Sequence, residues 1–172
     1  MRIRRLEPGD ERDTFRSGSP DLDRFFHRYA GQNQFRHHVG VTYVAVEDDA
    51  IIGFVTVSPS EIEIDALSAD RRCRLPRYPL PTLRLARLAV AQTARGRGVG
   101  QALLRFVLTL ARRMAEEVGC VGVVVDAKPE ARAFYLRYGF EMMSAVEGVL
   151  LDRPEPIPMF LPLSAIPCPD SR

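Results

Sequence analysis

The spacing of apolar positions changes several times along the chain, and each change marks an element. Alternation around Ile3 to Leu6 predicts a short first strand. Ser19-Pro20-Asp21 reads as a helix start, because serine can cap, proline suits the first helical position and the acid complements the dipole. Leu22, Phe25, Phe26, Tyr29 and Asn33 follow at helical spacing. Thr42 to Val46 and Ile51 to Val57 are strand-like and flank the turn Glu47-Asp48-Asp49-Ala50, so a hairpin is expected. Pro76, Pro79 and Pro81 make residues 75–81 an extended linker, and Leu83 to Val90 is the next strand.

From Val99 the period lengthens. Val99, Leu103, Phe106, Val107, Leu110, Met114 and Val118 recur at steps of three and four, which predicts an amphipathic helix of about five turns ended by Gly119. Val121 to Val125 is a continuous apolar run, as in a buried strand. Pro129 opens a short helix that Gly139 stops, and Met159 to Leu163 is a last strand. The order β, α, ββ, β, α, β, α, β implies an α/β chain with a mixed sheet and helices packed on its faces. A length of 172 residues suits a single domain, taken as residues 1–166, with a disordered tail at 167–172.

Composition narrows the class. Hydrophobic residues are 46% and charged residues 27%, without a run long enough to span a membrane or serve as a signal peptide, so a cytoplasmic protein is expected. Cys73, Cys120 and Cys168 are too few and too scattered for a disulfide framework or a zinc site. His27, His37 and His38 lack a partner at a metal-binding interval, so no metal is expected. The net charge is only +2, yet Lys128 is the single lysine. A GC-rich genome would account for that global bias. The local pattern says more: Arg71, Arg72, Arg74, Arg77, Arg84 and Arg87 fall between positions 71 and 87 with no acid among them.

The densest signal is Arg95-Gly96-Arg97-Gly98-Val99-Gly100, between a strand and the long helix. The first amides of a helix lack internal acceptors and carry partial positive charge, and glycines let an anion approach them. A phosphate or pyrophosphate is the natural ligand. The loop is not a Walker motif, since Gly100 is followed by Gln101, and its glycines lack the G-x-G-x-x-G spacing of a dinucleotide fingerprint. By itself it also fits a flexible turn that packs closely.

Two motifs in order sharpen this. Arg95-x-x-Gly98-x-Gly100 resembles the acetyl-CoA motif of GNAT acetyltransferases, and Ala133-Phe134-Tyr135-x-x-x-Gly139-Phe140 resembles its second half. Asp21-Leu22-Asp23-x-Phe25-Phe26, Tyr29-Ala30-x-Gln32-Asn33, Leu75-Pro76-Arg77-Tyr78-Pro79 and Arg87-Leu88-Ala89-Val90 resemble the GNAT toxins of bacterial toxin–antitoxin pairs, over roughly residues 15 to 163. The resemblance implies a central, mostly antiparallel mixed sheet with a parallel pair splayed at the acetyl-CoA site. It implies that the backbone of Leu88, Ala89 and Val90 meets the pantetheine arm and acetyl carbonyl. Arg95, Gly96, Arg97, Gly98, Val99 and Gly100 would hold the pyrophosphate, with Gln101 and Phe134 also at the cofactor. Tyr135 takes the place of the catalytic tyrosine.

The same resemblance implies acetylation of the α-amine of aminoacyl-tRNA, a block of translation, a small ribbon-helix-helix antitoxin and a homodimer. Arg36, Arg77, Arg84 and Arg87 are the candidate tRNA contacts. Acetyl transfer needs a neutral amine, a donor for the oxyanion and a proton for the departing thiolate; Tyr135 can give the last. The strand before the loop, Leu83 to Leu88, carries no acid to serve as base, and the α-amine of an aminoacyl ester is acidic enough to need none. Two alternatives share the fold: acetylation of a small-molecule or protein amine, and an acyl-CoA-binding module without catalysis.

Overall fold

The computed structural model describes residues 1–143 and 156–167. Its strands are β1 (Arg2–Arg5), β2 (Val41–Glu47), β3 (Ala50–Ile62), β4 (Leu80–Val90), β5 (Gly122–Ala127), β6 (Glu141–Met142) and β7 (Ile157–Pro162). Its α-helices are α1 (Pro20–Arg24), α2 (Ala69–Arg72), α3 (Val99–Glu117) and α4 (Arg132–Arg137). The strands form one seven-stranded sheet in the order β1-β2-β3-β4-β5-β7-β6. By contact density the chain divides into two compact units, Met1–Ser58 with Leu85–Thr109, and Pro59–Arg84 with Leu110–Arg172.

In the first unit β1 pairs antiparallel with β2, and β2 with β3. Asp48 and Asp49, at φ 49° and 62°, turn the β2–β3 hairpin in the left-handed conformation that matches strand twist. Neighbouring side chains of a strand point to opposite faces, and β3 shows what covers each. On one face Phe54 stacks on Phe26 of the first helix, 4.3 Å between centroids and 5° between planes, with Phe15 edge-on at 5.4 Å. On the other, Gly53 lies so close to α3 that a Cβ there would sit 2.9 Å from Val99 and 3.1 Å from Leu103. Helices therefore cover both faces, as expected.

The first helix departs from the simple period. After α1 it continues through two π-helical turns, Phe25–Tyr29 and Gln32–Arg36. Each such turn carries an extra residue and rotates the buried face by a position. Phe25, Phe26 and Ala30 are buried, whereas Tyr29, expected on the apolar stripe, is 46% exposed. Gln34 then bridges helix and sheet: its amide donates to the Leu6 carbonyl at 2.9 Å and accepts from the Thr42 amide at 2.8 Å.

In the second unit β5 and β6 each pair antiparallel with β7. The Val121 amide donates to the Pro81 carbonyl at 2.8 Å, so the starts of β4 and β5 lie side by side, the parallel arrangement that a strand–helix–strand connection gives. Ile62, Leu67, Leu80, Val124 and Phe160 form its buried cluster. Three details differ from the sequence reading. Strand β4 begins at Leu80, ahead of Pro81, the short helix α2 and strand β6 are additional, and Val118 is 78% exposed because α3 has already ended. A two-residue strand and a four-residue helix are too short to show a period.

Candidate active site

The glycine loop belongs to the first unit. Strand β4 delivers it: the Ala91 amide donates to the Ile52 carbonyl at 2.9 Å, and the 3-10 turn Gln92–Ala94 follows with Ala94 buried. Leu88 and Val90 are half-buried and Ala89 buried at the end of the strand. Gly96 and Gly98 then take φ of +74° and +78°, a conformation costing other residues about 1–2 kcal/mol each. A Cβ at either would have no atom within 4 Å, so the space over the loop is open. Val99, 2% exposed, anchors the start of α3 in the core. The earliest bond of this helix runs from the Ala102 amide to the Gly98 carbonyl at 3.0 Å, leaving the amides of Val99, Gly100 and Gln101 ahead of it.

Each arginine of the loop has a hydrogen-bond partner within the protein. The Arg95 guanidinium donates to the Ser17 carbonyl, and Ser17 is itself fixed by Asp23, which accepts from its amide at 2.8 Å and its hydroxyl at 2.6 Å. Arg97 pairs with Glu47 and holds that carboxyl below its ordinary range. Both side chains therefore have partners within the protein, while the amides at the start of α3 have none inside the helix. Beside the loop's approach, a cavity of about 590 Å³ is lined by Glu11, Arg16, Asp48, Asp49 and Gln92 among others; none of the expected cofactor residues lines it.

Tyr135 belongs to the second unit. It is 5% exposed in α4, its ring edge-on to Phe134 at 5.2 Å and to Phe140 at 5.3 Å. Phe134 also meets Tyr138 at 5.0 Å. Burial alone pushes the phenol up to about 12, so it stays protonated across the physiological range. Position Gly139, at φ +87°, ends the helix and returns Phe140 to the core.

The arginine stretch is acid-free in sequence and not in space. Arg71 forms a two-pronged pair with Glu141, at 2.7 and 3.0 Å; Arg72 lies 3.7 Å from Asp65, and Arg84 pairs with Asp126. The inference from missing acids is therefore corrected: the chain supplies them from positions up to 70 residues away. Arg84 and Arg87, three apart on β4, project from opposite faces of the strand. Arg87 lies over the ring of Phe25, 3.9 Å from its centroid. Among the described residues Arg36 and Arg77 are exposed without an ion pair. Phe25 reads as core from the sequence, and no local pattern signals its contact with a residue 62 positions away.

His27 is structural: its Nε2 donates to the Phe15 carbonyl at 2.9 Å, which fixes the tautomer. Cys73 is exposed, Cys120 is buried with its thiol pushed up by desolvation, and Cys168 lies outside the described residues, as does most of the expected tail. Among the described residues no group of three or more His, Cys, Asp or Glu is placed to hold a metal, and no helix is long and apolar enough to cross a membrane.

Residues 38–142 match the acetyltransferase (GNAT) domain family. The tRNA-acetylating toxin of Mycobacterium tuberculosis (strain ATCC 25618 / H37Rv) is 34% identical over 143 residues, 81% of this chain and 83% of the toxin. Among solved structures, AtaT complexed with acetyl-methionyl-tRNAfMet superposes with a TM-score of 0.82 at 22% identity, covering 96% of each chain. A mutant AtaT toxin bound to the C-terminus of the antitoxin AtaR and acetyl-CoA superposes with a TM-score of 0.74 at 21% identity, covering 96% of this chain and 94% of that one.

Proposed function

The chain belongs to the GNAT acetyltransferase family, and we propose that within it the protein transfers acetyl from acetyl-CoA to the α-amine of aminoacyl-tRNA and so stops translation. One observation carries the cofactor half: Gly96 and Gly98 hold the backbone open at the N-terminus of α3, with nothing within 4 Å of where a Cβ would stand. An open helix N-terminus of this kind suits a pyrophosphate, whose charge the loop amides and the helix dipole would meet. Acetyl-CoA supplies an activated acyl group whose leaving thiolate is good. The amides of Gly96 to Gln101 would hold its phosphates, the β4 backbone at Leu88 to Val90 would orient the acyl arm, and Phe134 would pack beside it. Tyr135 keeps a proton on its phenol to give to the departing sulfur, since its burial favours the neutral form. With no acid on β4 after Arg84, the attacking amine must arrive neutral, as the α-amine of an aminoacyl ester can near pH 7.

The acceptor half draws on the relative acting on tRNA and on the arginines. Arg36, Arg77 and Arg87 carry charge that no acid among the described residues neutralises, and Arg84 joins them if tRNA displaces Asp126. We also take the domain to be single over residues 1–166, the protein to be cytoplasmic and homodimeric, and its antitoxin to be a small ribbon-helix-helix protein. The test is direct. Purified protein, acetyl-CoA and charged tRNA are incubated, and the aminoacyl adenosine released by nuclease is weighed by mass spectrometry. A gain of one acetyl on the α-amine is expected. Transfer only to polyamines or peptides would move the acceptor to a small-molecule or protein amine, and absence of acetyl-CoA binding by calorimetry would end the enzyme reading.

A further inference from the structure

We propose, resting on the aminoacyl-tRNA reading above, that Arg87 binds a phosphate of the acceptor's 3′ strand, its guanidinium oriented for that contact by the face of Phe25. The guanidinium carbon lies 3.9 Å from the Phe25 centroid. Phe25 is itself 5% exposed and braced by Phe54, 6.3 Å between ring centroids, so the platform is fixed by the core. Stacking uses one face of the guanidinium and leaves its edge, with the N–H donors, free. Arg71, Arg84 and Arg97 each have a carboxylate, whereas among the described residues no acid pairs with Arg87. Arg87 is exposed, so its donors face solvent without a counter-charge, and its contact with Phe25 desolvates it in part and lowers its pKa. An anion arriving there gains a charge-assisted contact without displacing an internal acid.

The position says which anion. Arg87 immediately precedes Leu88, where the backbone assigned to the acetyl arm begins. The phosphates of acetyl-CoA are met further on, at Gly96 to Gly100. A second phosphate close to the acetyl group has to come with the acceptor, and in aminoacyl-tRNA the last phosphodiester of the 3′ strand is the acid nearest the amine. A planar fork suits a phosphodiester, and a stacked guanidinium has less freedom to lose on binding it.

The test uses the full chain as wild type, Arg87→Lys, Arg87→Ala and Phe25→Leu, each shown to melt like wild type. Two acceptors are compared: charged tRNA and an aminoacyl nucleoside without phosphate. For charged tRNA, KM should rise about tenfold in both Arg87 variants, because lysine lacks the planar fork, and by a few-fold in Phe25→Leu. The KM for acetyl-CoA, and the rates with the nucleoside, should not move. The slope of log KM for charged tRNA against log salt should become shallower by about 0.7 to 1 in Arg87→Ala, the signature of one lost phosphate contact. An unchanged KM for charged tRNA while the wild type acetylates it would overturn the proposal and leave the function standing. So would an equal loss with both acceptors, or a raised KM for acetyl-CoA. A wild type that transfers nothing to charged tRNA would overturn the functional reading and this proposal with it.

Discussion

The glycine loop and the arginine stretch both look, in one dimension, like places for anions, and the fold treats them oppositely. In the loop both side chains are engaged within the protein, Arg95 donating to the Ser17 carbonyl and Arg97 paired with Glu47, and the amides at the start of α3 lack a partner inside the helix. In the stretch the backbone is occupied by strand pairing or loop packing, and what matters is which guanidinium escapes an internal acid. Arg71, Arg72 and Arg84 do not escape; Arg77 and Arg87 do. A backbone site is fixed by local conformation and tolerates changes of side chain. A site of side chains depends on partners that the fold brings from elsewhere.

The largest effect should come from Tyr135→Phe, which separates chemistry from either kind of binding. A fall in kcat of about 10²- to 10⁴-fold is expected, with acetyl-CoA affinity by calorimetry intact. Because the Tyr135 pKa is raised to about 12, it loses its proton only near that pH, so the wild-type rate should show no falling limb from this group below about pH 10. A limb in that range that disappears in the phenylalanine variant would contradict the assignment.

Next comes the loop itself. Gly98→Ala forces a residue with a Cβ to φ +78°, at about 1–2 kcal/mol, and acetyl-CoA affinity should fall roughly tenfold while affinity for charged tRNA holds. Arg97→Ala, which only breaks the pair with Glu47, should change acetyl-CoA affinity less than twofold if the cradle is backbone. Equal losses from both would make the cradle a side-chain site.

The stretch gives the third contrast. Arg77→Ala should weaken tRNA binding and flatten its salt dependence by about one phosphate contact, measured by filter binding across a KCl series. Reversal of the order, with Arg71→Ala weakening tRNA more than Arg77→Ala, would break the distinction between paired and free arginines.

The smallest effect concerns stability. Arg71 holds Glu141 below the ordinary carboxylate range, chiefly by hydrogen bonding. Its folded pKa is therefore depressed, and the stability it adds is present above the unfolded value and lost as pH falls through the folded one. Glu141→Gln should lower the melting temperature slightly near neutral pH, for a cost below about 1 kcal/mol at this exposed pair. The difference from wild type should shrink below about pH 4. A constant difference down to pH 2 would assign the effect to packing.

Much of the fold was legible because its causes are local. The strand-like runs of β2 and β3 with the turn between them, the 3.6-residue stripe of α3 and the stop at Gly119 each depend on a few neighbouring residues. The glycines of the loop announce their own backbone, and the positive φ of Gly96 and Gly98 follows from their lack of a Cβ. The two-residue β6 and four-residue α2 could not, since tertiary pairing makes them and no period fits in so short a span. The π turns of the first helix also escaped, and with them the outward turn of Tyr29, because helical spacing assumes 3.6 residues per turn throughout.

The sequence by itself determined the long strands and the long helix, which rest on short-range spacing, and it carried the motifs whose resemblance pointed to the acetyltransferase family and to Tyr135. Tertiary structure alone decided how far the Tyr135 phenol is pushed above its ordinary range, through burial that no neighbour in sequence predicts. It also decided which arginines stay free, since Glu141, Asp126 and Phe25 lie 70, 42 and 62 positions from the arginines they meet. Backbone geometry is written where it occurs, whereas desolvation and ion pairing depend on what the fold brings alongside.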